Sequence, residues 1–174
     1  MIGLKRGIVK LSPYSSKWVE VYSKEKLQLE TVIGDHVLEI QHIGSTSIPG
    51  MIAKPIIDIA VAVHDFREAF KCVELLKDLE YEYKGEFGIP KRHFFVKGNP
   101  RIFHLHMLEI SSQEWKNHQF FRDFLIQHPN KAEEYAELKI LLARQFSTDR
   151  DAYTEGKASF IEKILHQEKE EKML

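Results

Sequence analysis

The sequence predicts an α+β protein, a mixed β-sheet covered by helices with a helical C-terminal part. Three observations carry that expectation. Strand-like apolar stretches fall in two groups, near residues 36–63 and 92–110. A stretch with the 3.6-residue helical period precedes them and another separates them. Beyond residue 111 every periodic stretch is helical, so strands and helices are segregated rather than strictly alternating.

The elements follow in chain order. In "LSPYSSKWVEVYSKEKLQLETVIG", Ser12 suits a helix N-cap, Pro13 the first helical position and Gly34 the stop. Tyr14, Trp18, Tyr22, Leu29 and Val32 recur near helical spacing and give that helix an apolar face. "HVLEIQHIG" alternates, with Leu38, Ile40 and His42 on one side and Glu39 and Gln41 on the other, as in a half-buried strand. "KPIIDIAVAV" is apolar on both faces, which places it inside the sheet. Asp65 and Glu68 have capping-box spacing and open a helix through "FREAFKCVELLKDLEY". "RHFFVKG" and "RIFHLHMLEI" flank the turn "GNP" and predict an antiparallel hairpin. The strand–helix–strand crossover before it allows part of the sheet to be parallel.

Ser111 and Glu114 repeat the capping-box spacing and start a helix that Pro129 ends. Asn130 suits the cap of the next, through "KAEEYAELKILLARQF", and a last helix covers "AYTEGKASFIEKILHQ" before a charged, solvated tail, "EKEEKML". No repeat or long linker divides the chain. Residues 1–174 therefore read as one domain, with 1–110 holding the sheet and 111–174 the C-terminal helices.

A 43% apolar and 29% charged composition is that of an ordinary globular protein. The formal net charge of -1 gives no strong nucleic-acid signal and no attraction to an anionic membrane, so any anion site must be local. Cys72, the sole cysteine, excludes an internal disulfide and reads as a reduced core thiol. The opening "MIGLKRGIVKLSP" lacks the apolar run of a signal peptide, and no stretch has the length of a membrane span. A cytoplasmic location is the expectation.

The chemistry concentrates in "HIGSTSIPGMIAKPIIDIAVAV", residues 42–63. Gly44 removes the Cβ that would hold an anion off the backbone, while Ser45, Thr46 and Ser47 add hydroxyl and amide donors suited to phosphate. Lys54 supplies a point charge to the same anion. Asp58 lies among Ile56, Ile57, Ile59 and Val61, where an unpaired carboxylate would cost several kcal/mol, so it needs a cation, a metal or donors. A structural salt bridge with Lys54 or an arginine satisfies the same need. Lys91, Arg92, Lys97 and Arg101 gather around the hairpin, and Arg92 and Arg101 suit bidentate contacts to a polyphosphate. Arg122 reads either as a structural partner of Asp123 or as a phosphate ligand, and Phe120, Phe121 and Phe124 as core.

"HIGSTSIPG" followed by "AKPIIDI" resembles the signature of the GrpB family, which is grouped with the nucleotidyltransferase-like superfamily. "YSSKWVEVY", "HLHMLE", "FRDFLIQHPNKAEEYAELK" and "YTEGKASFIEKIL" extend the likeness over nearly the whole chain. The resemblance implies a nucleotidyltransferase-type mixed sheet flanked by helices. It also implies that Gly44 and Ser45 match a triphosphate-gripping turn and Asp58 the first acid of an Asp-x-Asp or Asp-x-Glu metal motif. The second acid of that motif falls at Ala60. A third acid of the superfamily comes from a neighbouring strand, where His104 and His106 share a face here. Asp58, His104 and His106 would then be the catalytic and metal-holding set, with His42 a further ligand for Mg²⁺, Mn²⁺ or Zn²⁺. The alternative is that the histidines hydrogen-bond to backbone or to Asp58. Lys139 and Lys157 fall in the family-like C-terminal motifs and would close the cleft.

Two functions follow as expectations. One is a divergent nucleotidyltransferase binding a nucleotide or phosphorylated metabolite, with metal-dependent nucleotidyl or phosphoryl transfer. The other is a non-catalytic nucleotide- or phospho-metabolite-binding module, accessory to coenzyme A metabolism, since family members occur fused to a coenzyme A biosynthetic kinase. A hydrolase using His104 or His106 as base lacks an identifiable nucleophile.

Overall fold

The computed structural model describes residues 2–171, with side chains as far as residue 167. Its sheet has the order β1-β2-β5-β4-β3, from β1 (Glu39–Ile43), β2 (Ile57–Val63), β3 (Glu82–Tyr83), β4 (Arg92–Lys97) and β5 (Phe103–Glu109). β2 pairs antiparallel with β1 and parallel with β5, while β4 pairs antiparallel with β5 as the expected hairpin. The apolar β2 is interior, as its sequence required. The protein is α+β with a five-stranded mixed sheet.

The alternation of strand side chains gives the sheet two unlike faces. One carries Ile57, Ile59, Val61, Phe95, Leu105 and Met107 under α1 (Lys17–Ile33) and α2 (Cys72–Lys77), which contribute Trp18, Leu29, Ile33, Cys72 and Leu76. Each such side chain removed from water stabilises the fold by about 1.5–3 kcal/mol. The Lys97–Glu25 ion pair, at 2.7 Å, is part-buried on this face.

The other face is apolar at one end and polar at the other. Ile43, Ala60, Ala62 and Leu108 pack under Trp115 of α3 (Gln113–Gln127). Asp58, His104 and His106 lie nearer the starts of β2 and β5 on the same face, since Asp58 pairs with His104 and Ala60 with His106. Ile48 and Met51, just after the Gly-Ser turn, are buried among Phe124, Leu125, Tyr135 and Ile164 of the C-terminal helices. These helices are α3, α4 (Pro129–Gln145), α5 (Arg150–Gly156) and α6 (Ala158–Glu171). The turn is thus held between sheet and helices.

Several boundaries differ from expectation, each for a tertiary reason. Ser12 does not cap α1: its backbone exchanges hydrogen bonds with Ala53 at 2.8 and 3.0 Å, and the helix starts at Lys17. Asp65 Oδ1 does accept the Arg67 and Glu68 amides, but the first turn is 3₁₀ before α2 begins. The cap of α3 is Ser112 rather than Ser111, accepting from Trp115 N at 3.2 Å. Pro129 opens α4 with His128 ahead of it, not Asn130.

The expected last helix is two. Gly156 abuts Leu142 so closely that a Cβ there would lie 2.5 Å from Leu142 Cδ2, and the chain turns at Lys157 between α5 and α6. α6 continues to Glu171, into the stretch expected to be a solvated tail, while residues 172–174 lie outside the described residues.

Candidate functional site

The site is built on one carboxylate. Asp58 Oδ1 lies 3.2 Å from His104 Nδ1 and 3.2 Å from His106 Nε2. Guanidinium nitrogens only donate, so neighbouring arginines settle which imidazole nitrogens carry protons. Arg150 Nη2 approaches His104 Nε2 at 3.1 Å, and Arg92 Nη1 approaches His106 Nδ1 at 3.3 Å. Each of those nitrogens accepts, so each histidine turns its N–H toward Asp58. The result is a chain of donors, Arg150 to His104 and Arg92 to His106, converging on one oxygen.

Asp58 is not sealed in: 29% of its side-chain surface stays accessible. Burial alone would raise its pKa, but the hydrogen bonds from His104 and His106 outweigh it and hold the carboxyl well below the usual range. Burial pushes His104 down to about 4. At neutral pH the carboxylate is therefore charged and His104 is neutral.

The Gly-Ser turn presses against this acid. Gly44 has φ 71°, ψ -174°, and an added Cβ would meet Asp58 Oδ2 at 2.9 Å. The hydroxyls that follow shape the turn: Thr46 Oγ1 bonds His42 Nε2 at 3.0 Å, and Ser47 Oγ donates to Gly44 O. Lys139 Nζ, on α4, donates to Ser45 Oγ at 2.9 Å and to Ile52 O. Lys139 is only 1% exposed and sits over the Tyr135 ring at 4.7 Å.

Further cations close the recess. Tyr153 of α5 has Lys54 Nζ 5.1 Å from its ring centre and Lys157 Nζ 4.6 Å from it. Burial, then mutual repulsion between Lys54, Lys157 and their neighbours, lowers Lys54 to about 7 and Lys139 to about 6. Burial likewise lowers Lys157 to about 8, against the attraction of Asp58. Arg101 stands near Lys54 and Arg150, with its pKa lowered by burial. Among the described residues, Lys54, Lys139, Lys157, Arg101 and Arg150 form no ion pair with an acid.

The fold brings together Gly44, Ser45, Lys54, Asp58, His104 and His106, with Lys139 and Lys157 joining from the helices. It separates others. His42 faces the opposite side of the sheet, stacks on Tyr22 at 4.6 Å, and is lowered to about 4 by burial, so it joins no ligand set with Asp58. Arg92 is 6% exposed and turns each of its three guanidinium nitrogens inward, to Glu86 O, His106 and Phe87 O, rather than presenting a fork to a polyphosphate. Arg122 ties α3 to β1 through Gln41 Oε1 and His42 O besides pairing with Asp123. Lys97 is half-buried and pairs with the buried Glu25.

Sequence reasoning missed Arg150, whose only signal is Asp149, the N-cap accepting from Ala152 N at 3.0 Å. It also missed His118, whose ring lies 5.3 Å from that of His106 and which burial lowers to about 3. Among the described residues no group of three or more His, Cys, Asp or Glu side chains has the geometry to hold a metal ion.

The family model described as GrpB protein matches residues 8–167. This chain belongs to the GrpB family. The glutamate-rich protein GrpB of Alkalihalophilus pseudofirmus is 36% identical over 173 residues, covering 96% of this chain and 99% of that one. UPF0157 protein YqkA of Bacillus subtilis is 43% identical over 154 residues, which span 88% of this chain but 45% of YqkA. A crystal structure of conserved protein GrpB from Enterococcus faecalis superposes with a TM-score of 0.85 at 34% identity, covering 91% of this chain and 96% of that one. A more distant relative, named dephospho-CoA kinase, from Mycolicibacterium paratuberculosis, is 26% identical across 86% of this chain and 43% of its own length. The GrpB-family match runs through the Gly-Ser turn, the β2 acid and the C-terminal lysines alike.

Proposed function

We propose that the recess binds the phosphate groups of a nucleotide or another phosphorylated small molecule, on a nucleotidyltransferase-like scaffold. One observation carries this. Lys54, Lys157 and Arg150 share the field of the single Asp58 carboxylate, Arg101 and Lys139 stand beside them, and none of the five forms an ion pair with an acid among the described residues. Partly desolvated basic groups that outnumber the acid they surround favour an oligoanion that supplies the balance. The Gly-Ser turn against Asp58 agrees with the superfamily's phosphate-gripping turn.

The residues do not fit a two-metal centre. Ala60, at the second-acid position, is sealed beneath Trp115, and the histidine lone pairs face the Arg92 and Arg150 guanidinium groups, which occupy the positions a metal ion would need. A single divalent ion, Mg²⁺, Mn²⁺ or Zn²⁺, accompanying the phosphates would have only the Asp58 carboxylate to meet, and no reaction step is assigned to it. The arrangement therefore favours a binding module over a transferase. The relative named dephospho-CoA kinase supports a role beside coenzyme A metabolism. Transfer chemistry is the second reading, favoured by Asp58 Oδ2, for which no hydrogen bond is found among the described residues.

Calorimetric titration with inorganic triphosphate and with ATP tests the proposal. Lys54 and Lys157, near 7 and 8, are partly neutral at pH 8.5, and an anion raises both values on binding. Binding thus takes up protons, and affinity tightens as pH falls from 8.5 to 7, by on the order of tenfold per pH unit for each proton taken up. The free protein moves the other way. Its lysines titrate below their unfolded value, so the unfolded chain holds more protons and stability rises with pH across that window. Binding that is absent at millimolar ligand, or indifferent to pH, would remove the proposal.

A further inference from the structure

Beside the recess, the segment joining β3 to β4 presents an aromatic ring to solvent at a backbone cost. Phe87 is 63% exposed and has φ 50°, a left-handed conformation that a bulky residue adopts only when its surroundings impose it. Lys91, at the far end of the same loop, is also left-handed, at φ 59°. The imposing group is Arg92. Its Nη2 donates to Phe87 O at 2.8 Å and its Nε to Glu86 O at 3.2 Å, while Nη1 holds His106. The same guanidinium that orients a histidine on Asp58 therefore fixes the backbone that displays Phe87.

The ring is placed as well as displayed. One side of Phe87 stacks on Phe94, with centroids 5.2 Å apart and planes 23° from parallel. Phe94, beneath the Arg92 guanidinium at 4.7 Å, lies 5.4 Å from the His104 ring and 5.2 Å from the His106 ring. Phe87 is two ring-to-ring steps from the carboxylate site, with its outer face free to take a third ring. An exposed phenylalanine elsewhere would need no explanation. One held in a strained backbone by the arginine of the site does.

We infer that Phe87 is a stacking platform for the heterocycle of the ligand, so the phosphorylated molecule is a nucleoside phosphate whose base lies on Phe87 while its phosphates reach the cations around Asp58. This rests on the phosphate-binding proposal and narrows it. It excludes sugar phosphates and other phospho-metabolites that lack an aromatic ring. Stacking is tolerant of base identity because every base offers a π-face, so the platform selects for a base rather than among bases.

The test compares ATP, CTP and inorganic triphosphate on wild type, Phe87→Ala and Phe87→Trp by calorimetric titration. Wild type binds both nucleotides roughly tenfold or more tighter than triphosphate. Phe87→Ala erases that advantage and leaves triphosphate affinity unchanged, and Phe87→Trp restores it. Because the side chain is largely solvent-exposed, the melting temperature of the variants serves as a control on folding. Triphosphate binding as tight as ATP in wild type, or equal losses for all three ligands in Phe87→Ala, overturns the stacking inference alone. Failure of every ligand to bind overturns the phosphate proposal with it.

Discussion

Gly44→Ala lowers the melting temperature by roughly 4–10 °C and removes anion binding. Two costs combine at this position. The backbone, at φ 71° and ψ -174°, occupies a region essentially reserved for glycine, at about 1–3 kcal/mol for another residue. The new methyl would also lie 2.9 Å from Asp58 Oδ2 and 3.2 Å from Asp58 Cβ, so either the turn or the acid must move. For a domain of this size each kcal/mol shifts the midpoint by about 2–4 °C. Gly50→Ala is the matched control. Its φ of 77° is also one that side-chain-bearing residues rarely adopt, but nothing lies within 4 Å of its added Cβ. It should lose stability and keep ligand affinity, and equal affinity losses in both would show that the turn's contact with Asp58 is irrelevant. Thermal melts and calorimetric titration of the pair decide it.

Asp58→Asn produces the second large effect, and its sign is specific to this account. The amide keeps the shape but loses the charge that His104 and His106 donate to and that Lys54, Lys157, Arg92 and Arg150 feel. The two imidazole N–H groups then meet a weaker acceptor, and Lys54, Lys157, Arg92 and Arg150 all lose the attraction of a shared negative charge. A loss of about 1–3 kcal/mol follows. In wild type the stability due to Asp58 is present above the ordinary aspartate range and is lost only as pH falls through its depressed pKa. Oligoanions replace the missing charge, so inorganic triphosphate raises the melting temperature of Asp58→Asn more than that of wild type. If Asp58 instead served by holding a divalent ion for the ligand, the variant would respond less than wild type, in a metal-dependent way.

The strands were legible because their patterns are steep. β2 is apolar on both faces and could only be interior, and the alternation in "HLHMLE" placed His104 and His106 together. β3 was not legible, since two residues at a sheet edge carry no periodicity. Ser12 has the chemistry of a cap, but its backbone is claimed by Ala53, a partner some forty positions away that no local pattern announces. The split between α5 and α6 depends on Gly156 meeting Leu142 across the bundle, which is likewise a tertiary event.

At the site, the acid and both histidines were readable from alternation plus the family likeness. Their orientation was not. Arg150 sits in "STDRDAY", which reads as a solvated connection until α5 delivers it to His104. Arg92 looked like a phosphate ligand because an arginine on a hairpin resembles one, but the fold turns each of its guanidinium nitrogens to Glu86, Phe87 or His106, partners no local pattern announces. Those two arginines face the histidine lone pairs, the positions a metal would need.

Residue-resolved amine labelling of the native protein at pH 7, with and without inorganic triphosphate, reads out both the altered lysines and their occupant. Amines react when neutral, so Lys54 should label ahead of the exposed Lys24, with Lys157 also enhanced. Triphosphate should slow labelling at Lys54 and Lys157 several-fold and leave Lys24 untouched. Unchanged reactivity at both lysines under millimolar triphosphate would mean that no oligoanion settles beside Asp58.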